Sequence, residues 1–399
     1  MAVLRPFKVW RPTPEFVQEI ISVPYDVIET DEARKQADGN DFSFLRVVRP
    51  EINLLESTSI YDDAVYQSGA ETLEKFLASD RFIQDEEPSI YIYQLAWDGQ
   101  TKTGLFGCVS VDDYDSDVIL KHENTRPDKE DDRTKHLVTQ KAHAEPVMMT
   151  FRTTEALQKL TDQVTETKPL YEVEDDHSVI HRIWRMDSES SQNASKLFEH
   201  IPNIYIADGH HRCASASRAA KEVDLENYPE AAFFPAVLFP IEEVRILAYN
   251  RIIYQLPDSF LSDLNASFDL QPTQNPVPTQ PGTVCFYVDG GWYSMDLPTS
   301  KASDVASQLD VARLQEFILE PMLGITDQRT DKNISFVGGI HGTSQLEKLV
   351  DGKSAEMAIS MYPTSIHELV DVSDAGQLMP PKSTWFEPKL KSGFLIHTF

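Results

Sequence analysis

The apolar and polar positions of this chain change period every ten to twenty residues, which predicts short strands mixed with medium helices. Apolar residues recur at helical spacing over 60–79 (Ile60, Ala64, Val65, Ala70, Leu73, Phe76 and Leu77), so a helix is expected there. Residues 89–97 alternate, Asp98-Gly99-Gln100 is a hairpin turn signal, and 102–111 returns as a second strand. The same logic predicts strands at 42–48, 147–151, 170–173, 181–186, 233–239, 246–253 and 357–361, and a hairpin at 284–295 around Asp289-Gly290-Gly291. Helices are expected over 30–37, 157–167, 194–199 and 305–319, with another beginning at Ser344. Pro24 interrupts a β-prone run and implies an edge or a loop leaving a strand.

One junction in this pattern stands apart. Residues 204–207 read as the end of a buried strand, Asp208 and Gly209 break it, and alanines from Cys213 to Lys221 continue as a helix. A strand, a sharp turn and a helix start present free backbone N–H groups and the positive end of a helix dipole. Here that end also carries His210, His211 and Arg212, so an anion, above all a phosphate, is its expected occupant. The plain alternative is a capped helix with surface histidines.

Mixed elements, frequent hairpins and no strict βαβ alternation predict an α+β layered fold rather than a Rossmann type. Five prolines in 256–282 mark a boundary or insertion, between a main region 1–255 and a C-terminal α+β region 283–399. Hydrophobic residues make up 41% of the 399, enough for a substantial core. There is no 18-residue apolar run and no apolar leader, so neither a membrane span nor a secretory signal is expected. Three scattered cysteines form neither a disulfide framework nor a metal-ligand spacing, which suits a cytoplasmic protein. The 64 acidic residues outnumber the 36 basic ones and leave a net charge of −28, which argues against nucleic acid as a partner.

Chemistry concentrates in three stretches: 122–133, 208–212 and 382–389. Together they hold the residue types that phosphoryl transfer requires: cations, donors, and carboxylates that could orient Mg2+ or a hydroxyl. Lys382-Ser383-Thr384 looks like the end of a phosphate-binding loop, but Pro380 and Pro381 stand where glycines should be, so a P-loop is rejected. A Pro-fixed tail docked by Trp385 and Phe386 is the other reading of that stretch. No His lies four residues from His122, so no zinc motif is present.

These residues carry a resemblance. Pro24-Tyr25-Asp26-Val27, His122-Glu123-Asn124-Thr125, 130–133, 207–212 and 379–389 resemble the bacterial and archaeal family catalogued as domain of unknown function 1015, over nearly the whole length. Val23 departs from it where a second proline is expected, and Cys213 where an aromatic is usual. The Asp-Gly-His-His-Arg turn is also similar to one in free-serine kinases of the ParB/sulfiredoxin-like superfamily. That resemblance implies a ParB/sulfiredoxin-like core around 204–221, elaborated by additional α/β segments. It further implies an ATP- or ADP-dependent, Mg2+-using kinase of a small hydroxyl metabolite, with free L-serine as acceptor and O-phospho-L-serine as product.

Under that implication Gly209, His210, His211 and Arg212 hold the phosphates. Asp208 is a base or metal-orienting carboxylate, and Glu123 is the alternative base with His122 beside it. Arg126, Arg133 and Lys382 neutralise charge, while Ser383 and Thr384 donate hydrogen bonds. The expected partners are nucleotide and small-molecule substrate, without membrane or nucleic acid, and with a homodimer left open. A nucleotide- or phosphometabolite-binding regulator without turnover, or a phosphatase using the same anion pocket, are the alternatives.

Overall fold

A computed structural model of the chain describes residues 1–399. The chain divides into two compact units. The first comprises residues 1–121, 125–244 and 388–399, and the second comprises 122–124 and 245–387. The class is α+β, as the pattern of elements predicts.

The first unit is built on an eight-stranded mixed sheet. Its order is Ile119–Leu120, Ile204–Asp208, Val147–Phe151, Phe233–Pro240, Gln100–Ser110, Tyr91–Trp97, Ile180–Arg185 and Tyr171–Glu174. The hairpin at Asp98-Gly99 forms as expected. Trp97 pairs with Gln100, and both turn residues have positive φ (52° and 71°), which matches the twist of the flanking strands. The helix His210–Glu222 buries Cys213, Ala216, Ala219 and Ala220. Small residues there let the helix backbone lie close to its neighbours. Cys213, Ala216 and Ala220 share a core with Ile204, Ile206, Phe151 and Phe198. Burial pushes the Cys213 thiol up, so it is a packing residue rather than a nucleophile.

A second, four-stranded sheet in this unit runs Phe82–Gln84, Val9–Pro12, Ile396–Thr398 and Ala142–His143. The 388–399 segment therefore completes a sheet whose other strands come from the first 143 residues. Gly393 makes this docking feasible: its φ is 92°, and a Cβ there would stand 2.8 Å from the Phe44 ring.

The second unit has a six-stranded sheet in the order Gln271–Pro272, Gly291–Asp296, Thr283–Val288, Met357–Met361, Tyr249–Ile253 and Ile334–Gly338. The helix Gly342–Asp351 packs Leu346 onto Ile252, Tyr287 and Ala358. The helix Ile366–Asp374 opens with a full capping box, Ser365 with Glu368. The proline-rich 256–282 stretch lies inside this unit and carries the helix Phe260–Ser267. A short ribbon pairs Ile246–Leu247 with Trp385–Phe386.

Three expected elements differ. Residues 42–48 form no strand; Leu45–Val48 is a helical turn, followed by the 3-10 turn Pro50–Asn53. A short apolar run buried on several sides has no readable period, and Pro50 then stops the helix. The expected helix over 305–319 begins only at Asp310, after the 3-10 turn Ala306–Gln308, and widens into a π-turn at Gln315–Leu319 before it continues as Glu320–Leu323. The expected strand 246–253 is split between Ile246–Leu247, in the short ribbon, and Tyr249–Ile253, in the six-stranded sheet, whereas the run around Pro24 leads into a 3-10 turn, Tyr25–Val27, the loop of its two expected alternatives. No helix is long and apolar enough to cross a membrane.

Candidate functional site

The strand-to-helix junction is sharper than its sequence implies. The strand runs to Asp208, and the helix begins three residues before Cys213, at His210. Between Ile206 and Asp208 the register with Val147–Phe151 shifts, so the strand bulges just before the turn. Such a bulge re-aims the side chain that follows it. Gly209, not Asp208, is the N-cap, at φ 106° and ψ 33°. A Cβ at Gly209 would stand 3.0 Å from Nε of Arg212, so only glycine lets the guanidinium fold back over the turn. Glycine supplies no capping oxygen, and no side chain caps the helix. The first-turn amides of a 13-residue helix therefore keep their capacity to bind an anion.

Arg212 is the hub of the charges at this turn. Its Nη2 lies 3.3 Å from Oδ2 of Asp208 and 3.7 Å from Oδ2 of Asp26, and its Nη1 donates to the carbonyl of Pro146. Lys389, from the 388–399 segment, places Nζ 3.6 Å from the same Asp208 oxygen. Burial alone would raise the Asp208 carboxyl; Lys389 and Arg212 outweigh it and hold the group below the usual carboxylate range. Burial alone would likewise disfavour charge on Arg212, but Asp26 and Asp208 reverse the direction. The side chains of Asp26 and Asp208 remain 35% and 26% exposed, so this face of the turn is open to a ligand.

His211 accepts a hydrogen bond at Nε2 from the backbone N–H of Arg126, 3.1 Å away. An accepting ring nitrogen requires the neutral imidazole, and burial shifts its ionisation the same way, down. His211 therefore ties the junction to the start of the helix Pro127–Gln140 and can offer an anion only its other nitrogen. His210 is buried. Arg126 forms a surface ion pair with Asp128 at 2.7 Å. Arg133 pairs with Asp132 at 2.8 Å and lies over the Tyr25 ring at 4.1 Å.

Behind the turn, Arg133, Arg212, Glu145, His136, His143 and Ser215 line a cavity of about 40 Å3. At ~10–15 Å3 per water it suits a few waters, and a nucleotide does not fit. Nε of Arg212, Nδ1 of His136 and Nε2 of His143 find no protein partner there, as expected of a hydrated polar pocket. Burial raises the Glu145 carboxyl, with Arg212 opposing; its Oε1 accepts from the Tyr25 amide and the Ser392 hydroxyl. A ligand for the helix terminus must sit on the outer face of the turn.

The remaining sequence candidates, His122, Glu123, Lys382, Ser383 and Thr384, belong to the second unit. Nε2 of His122 is 3.4 Å from the Thr384 hydroxyl. The Ser383 hydroxyl donates to the Pro380 carbonyl at 2.7 Å, which commits it to its own turn. Lys382 extends over the Tyr249 ring at 5.4 Å.

Residue by residue, then, the junction gathers Asp208, Gly209, His211 and Arg212, with Arg126 one hydrogen bond away and Arg133 on the wall behind. Sequence reading alone did not single out Asp26, Glu145 or Lys389 for this site. Asp26 and Lys389 lay inside motif stretches, but nothing local tied either to Asp208.

For Mg2+ the first unit offers limited chemistry. Asp208 already faces two cations, which oppose a third. Asp26, with one distant ion pair, is the carboxylate whose oxygens suit the ion.

Comparisons with solved structures return weak similarities. A mutant free serine kinase in complex with AMP is 10% identical, with a TM-score of 0.40, covering 72% of this chain and 91% of that one. A conserved hypothetical protein from Pyrococcus furiosus is 11% identical, with a TM-score of 0.35, covering 72% and 95%. C-terminally truncated SbnI from Staphylococcus aureus is 12% identical, with a TM-score of 0.37, covering 72% and 85%. Similarity at this level says nothing about what the chain binds. No curated protein matches the sequence. Residues 4–312, well over half of the chain, match the family described as Protein of unknown function (DUF1015), and the chain belongs to that family.

Proposed function

We propose that this protein is a nucleotide-dependent kinase of a small hydroxyl metabolite, with ATP or ADP as donor and free L-serine as acceptor, yielding O-phospho-L-serine. One observation carries the reading: an uncapped helix start behind a left-handed glycine, with Arg212 and Lys389 converging beside it. Amides and fixed cations at one point match what a transferring phosphoryl group needs. The choice of serine rests on the likeness of the Asp-Gly-His-His-Arg turn to that of free-serine kinases.

In this proposal the amides of His210 and His211 receive the phosphate oxygens. Arg212 and Lys389 balance the charge that builds up on them. The acceptor oxygen forms a bond to the terminal phosphorus, the bond to the nucleotide's bridging oxygen breaks, and the hydroxyl proton passes to Asp208. A carboxylate with a depressed pKa is a weak base, but phosphoryl transfer asks mainly for positioning and charge stabilisation. Asp26 and the phosphates would hold Mg2+, which would supply further charge neutralisation.

The test is incubation of the full chain with Mg-ATP or Mg-ADP and a panel of hydroxyl amino acids, following phosphorylated product. Product with serine is expected. Nucleotide binding with no turnover of any hydroxyl compound would replace this reading with a regulator. Release of inorganic phosphate without an acceptor would replace it with a phosphatase.

A further inference from the structure

The second unit contains a buried cation without a counter-charge. Four other well-buried guanidiniums, in the first and second units alike, are paired. Arg11, Arg133, Arg212 and Arg313, with side chains 10–14% exposed, have carboxylates at 2.7, 2.8, 3.3 and 3.1 Å. Arg251 is 0% exposed and has none. It lies on the strand Tyr249–Ile253 and donates to two carbonyls, those of Tyr249 and, at 3.2 Å, Lys382. Its Nε has no partner. Burial without a carboxylate pushes its ionisation down to about 10, so it is still charged at neutral pH. An unbalanced buried charge in a chain of net −28 is an expensive arrangement to keep.

The group Arg251 grips is itself unusual. Lys382 sits in a turn at φ 58°, a left-handed conformation that glycine or asparagine normally fills. Three contacts brace the turn: Arg251 on the Lys382 carbonyl, Thr364 on the Ser383 carbonyl at 3.0 Å, and Ser383 on the Pro380 carbonyl. In a trans peptide the N–H points opposite to the C=O. The amides of Ser383 and Thr384 therefore face away from Arg251 and Thr364. The Lys382 ammonium is on an exposed residue, over Tyr249, with no carboxylate partner. A strained lysine and an unpaired arginine meet at one peptide group.

We propose that the Pro380–Thr384 turn of the second unit is a phosphate-binding turn. Lys382 and the Thr384 amide contact the anion, and Arg251 is the positioning residue that fixes the Lys382 backbone and adds a second positive charge from behind. Two cations call for a dianion, and a phosphate monoester carries about −1.5 to −2 at neutral pH. The same chemistry belongs to inorganic phosphate, a nucleotide's terminal phosphate and a phosphorylated hydroxyl metabolite. This inference does not rest on the kinase reading, because it uses only residues of the second unit.

The test is calorimetric binding to the full-length chain at low and moderate salt. The ligands are inorganic phosphate, ADP, O-phosphoserine and, as a control without phosphate, adenosine. Lys382→Asn keeps a residue that tolerates positive φ and removes the charge, so it folds. At least tenfold weaker binding of one phosphate ligand is expected in Lys382→Asn, with adenosine unaffected. Arg251→Met should weaken the same ligand and reduce the salt dependence. The ligand with the largest Lys382-dependent loss identifies the source. Asp208→Asn separates the two sites: it should abolish turnover yet leave the Lys382-dependent binding in place. Equal phosphate affinity in the wild type and Lys382→Asn, or no phosphate binding by the wild type, overturns the proposal.

Discussion

Arg212 and Arg251 are both buried arginines beside a turn with a left-handed residue, and they solve the problem of burial in opposite ways. Arg212 lies among Asp208, Asp26 and a carbonyl, with Glu145 close enough to act on its charge. It has carboxylate partners before any ligand arrives. Arg251 has two carbonyls and the face of the Phe336 ring, and no carboxylate balances its charge. The first arrangement suits a site whose shape must persist through a reaction cycle. The second suits a site completed by its ligand. The left-handed residues differ in the same sense: Gly209 adopts its φ without strain, whereas Lys382 does so at a cost.

The largest expected effect breaks this comparison if it fails. Arg212→Met leaves Asp208 and Asp26 without their shared partner, and should lower stability by about 3–5 kcal/mol and remove turnover. Arg251→Met loses donors to two carbonyls but also removes an uncompensated charge, so it should cost less than half as much. Denaturant midpoints of the two variants side by side decide it; equal losses would mean that pairing is not what separates the two arginines. Next, Gly209→Ala forces a Cβ onto the Arg212 guanidinium at a positive φ. It should cost about 1–3 kcal/mol and weaken nucleotide binding, read by thermal unfolding with and without nucleotide.

A smaller effect sharpens the electrostatics of the first site. Lys389 helps hold the Asp208 carboxyl down. A carboxyl with a depressed folded-state pKa contributes stability above its unfolded value, and that stability is lost as pH falls through the folded one. In Lys389→Met the folded pKa rises. The acid limb of turnover should therefore move to higher pH, and acid unfolding should begin nearer the ordinary aspartate value of about 3.9. An unmoved acid limb would remove Lys389 from the site.

The smallest effect lies at Glu230. A hydrogen bond from His397, then burial opposing it, then Arg5, leave its carboxyl at about 2. Its share of stability should be lost as pH falls from about 4.3 toward 2. The side chain is 36% exposed, so that share is under about 1 kcal/mol. His397→Gln should flatten this part of the acid titration.

Much of the fold was legible where chemistry is local. Asp98-Gly99 and Asp289-Gly290 announced hairpins because type I′ turns need residues that tolerate positive φ at both positions. The 204–222 junction was legible because a strand-to-helix break needs few residues to specify it. Residues 42–48 misled because a short run of phenylalanine and valine, buried on several sides, looks alike as strand or helix. The π-turn at Gln315–Leu319 was hidden because it adds only one residue to the period of an otherwise continuous helical run. At the candidate site, residues within the 208–212 turn could be read together. Asp26 and Lys389, 182 and 181 positions away, become neighbours of that turn only through tertiary packing. Arg251 gave no signal, because an arginine in a β-prone run looks like a solvent-facing one until its burial is known.

The segmented make-up of the first unit has a bearing on how it is assembled. Lys391 donates its amide to Tyr93, 298 positions earlier, and sets its ammonium 2.7 Å from Asp175, so the segment carrying Lys389 is latched to a strand and a turn made long before it. During synthesis both emerge long before their latch does. Until the whole intervening unit has been translated, the early portion must wait with an incomplete sheet and Asp208 facing one cation instead of two, a stretch of time in which chaperones have something to hold.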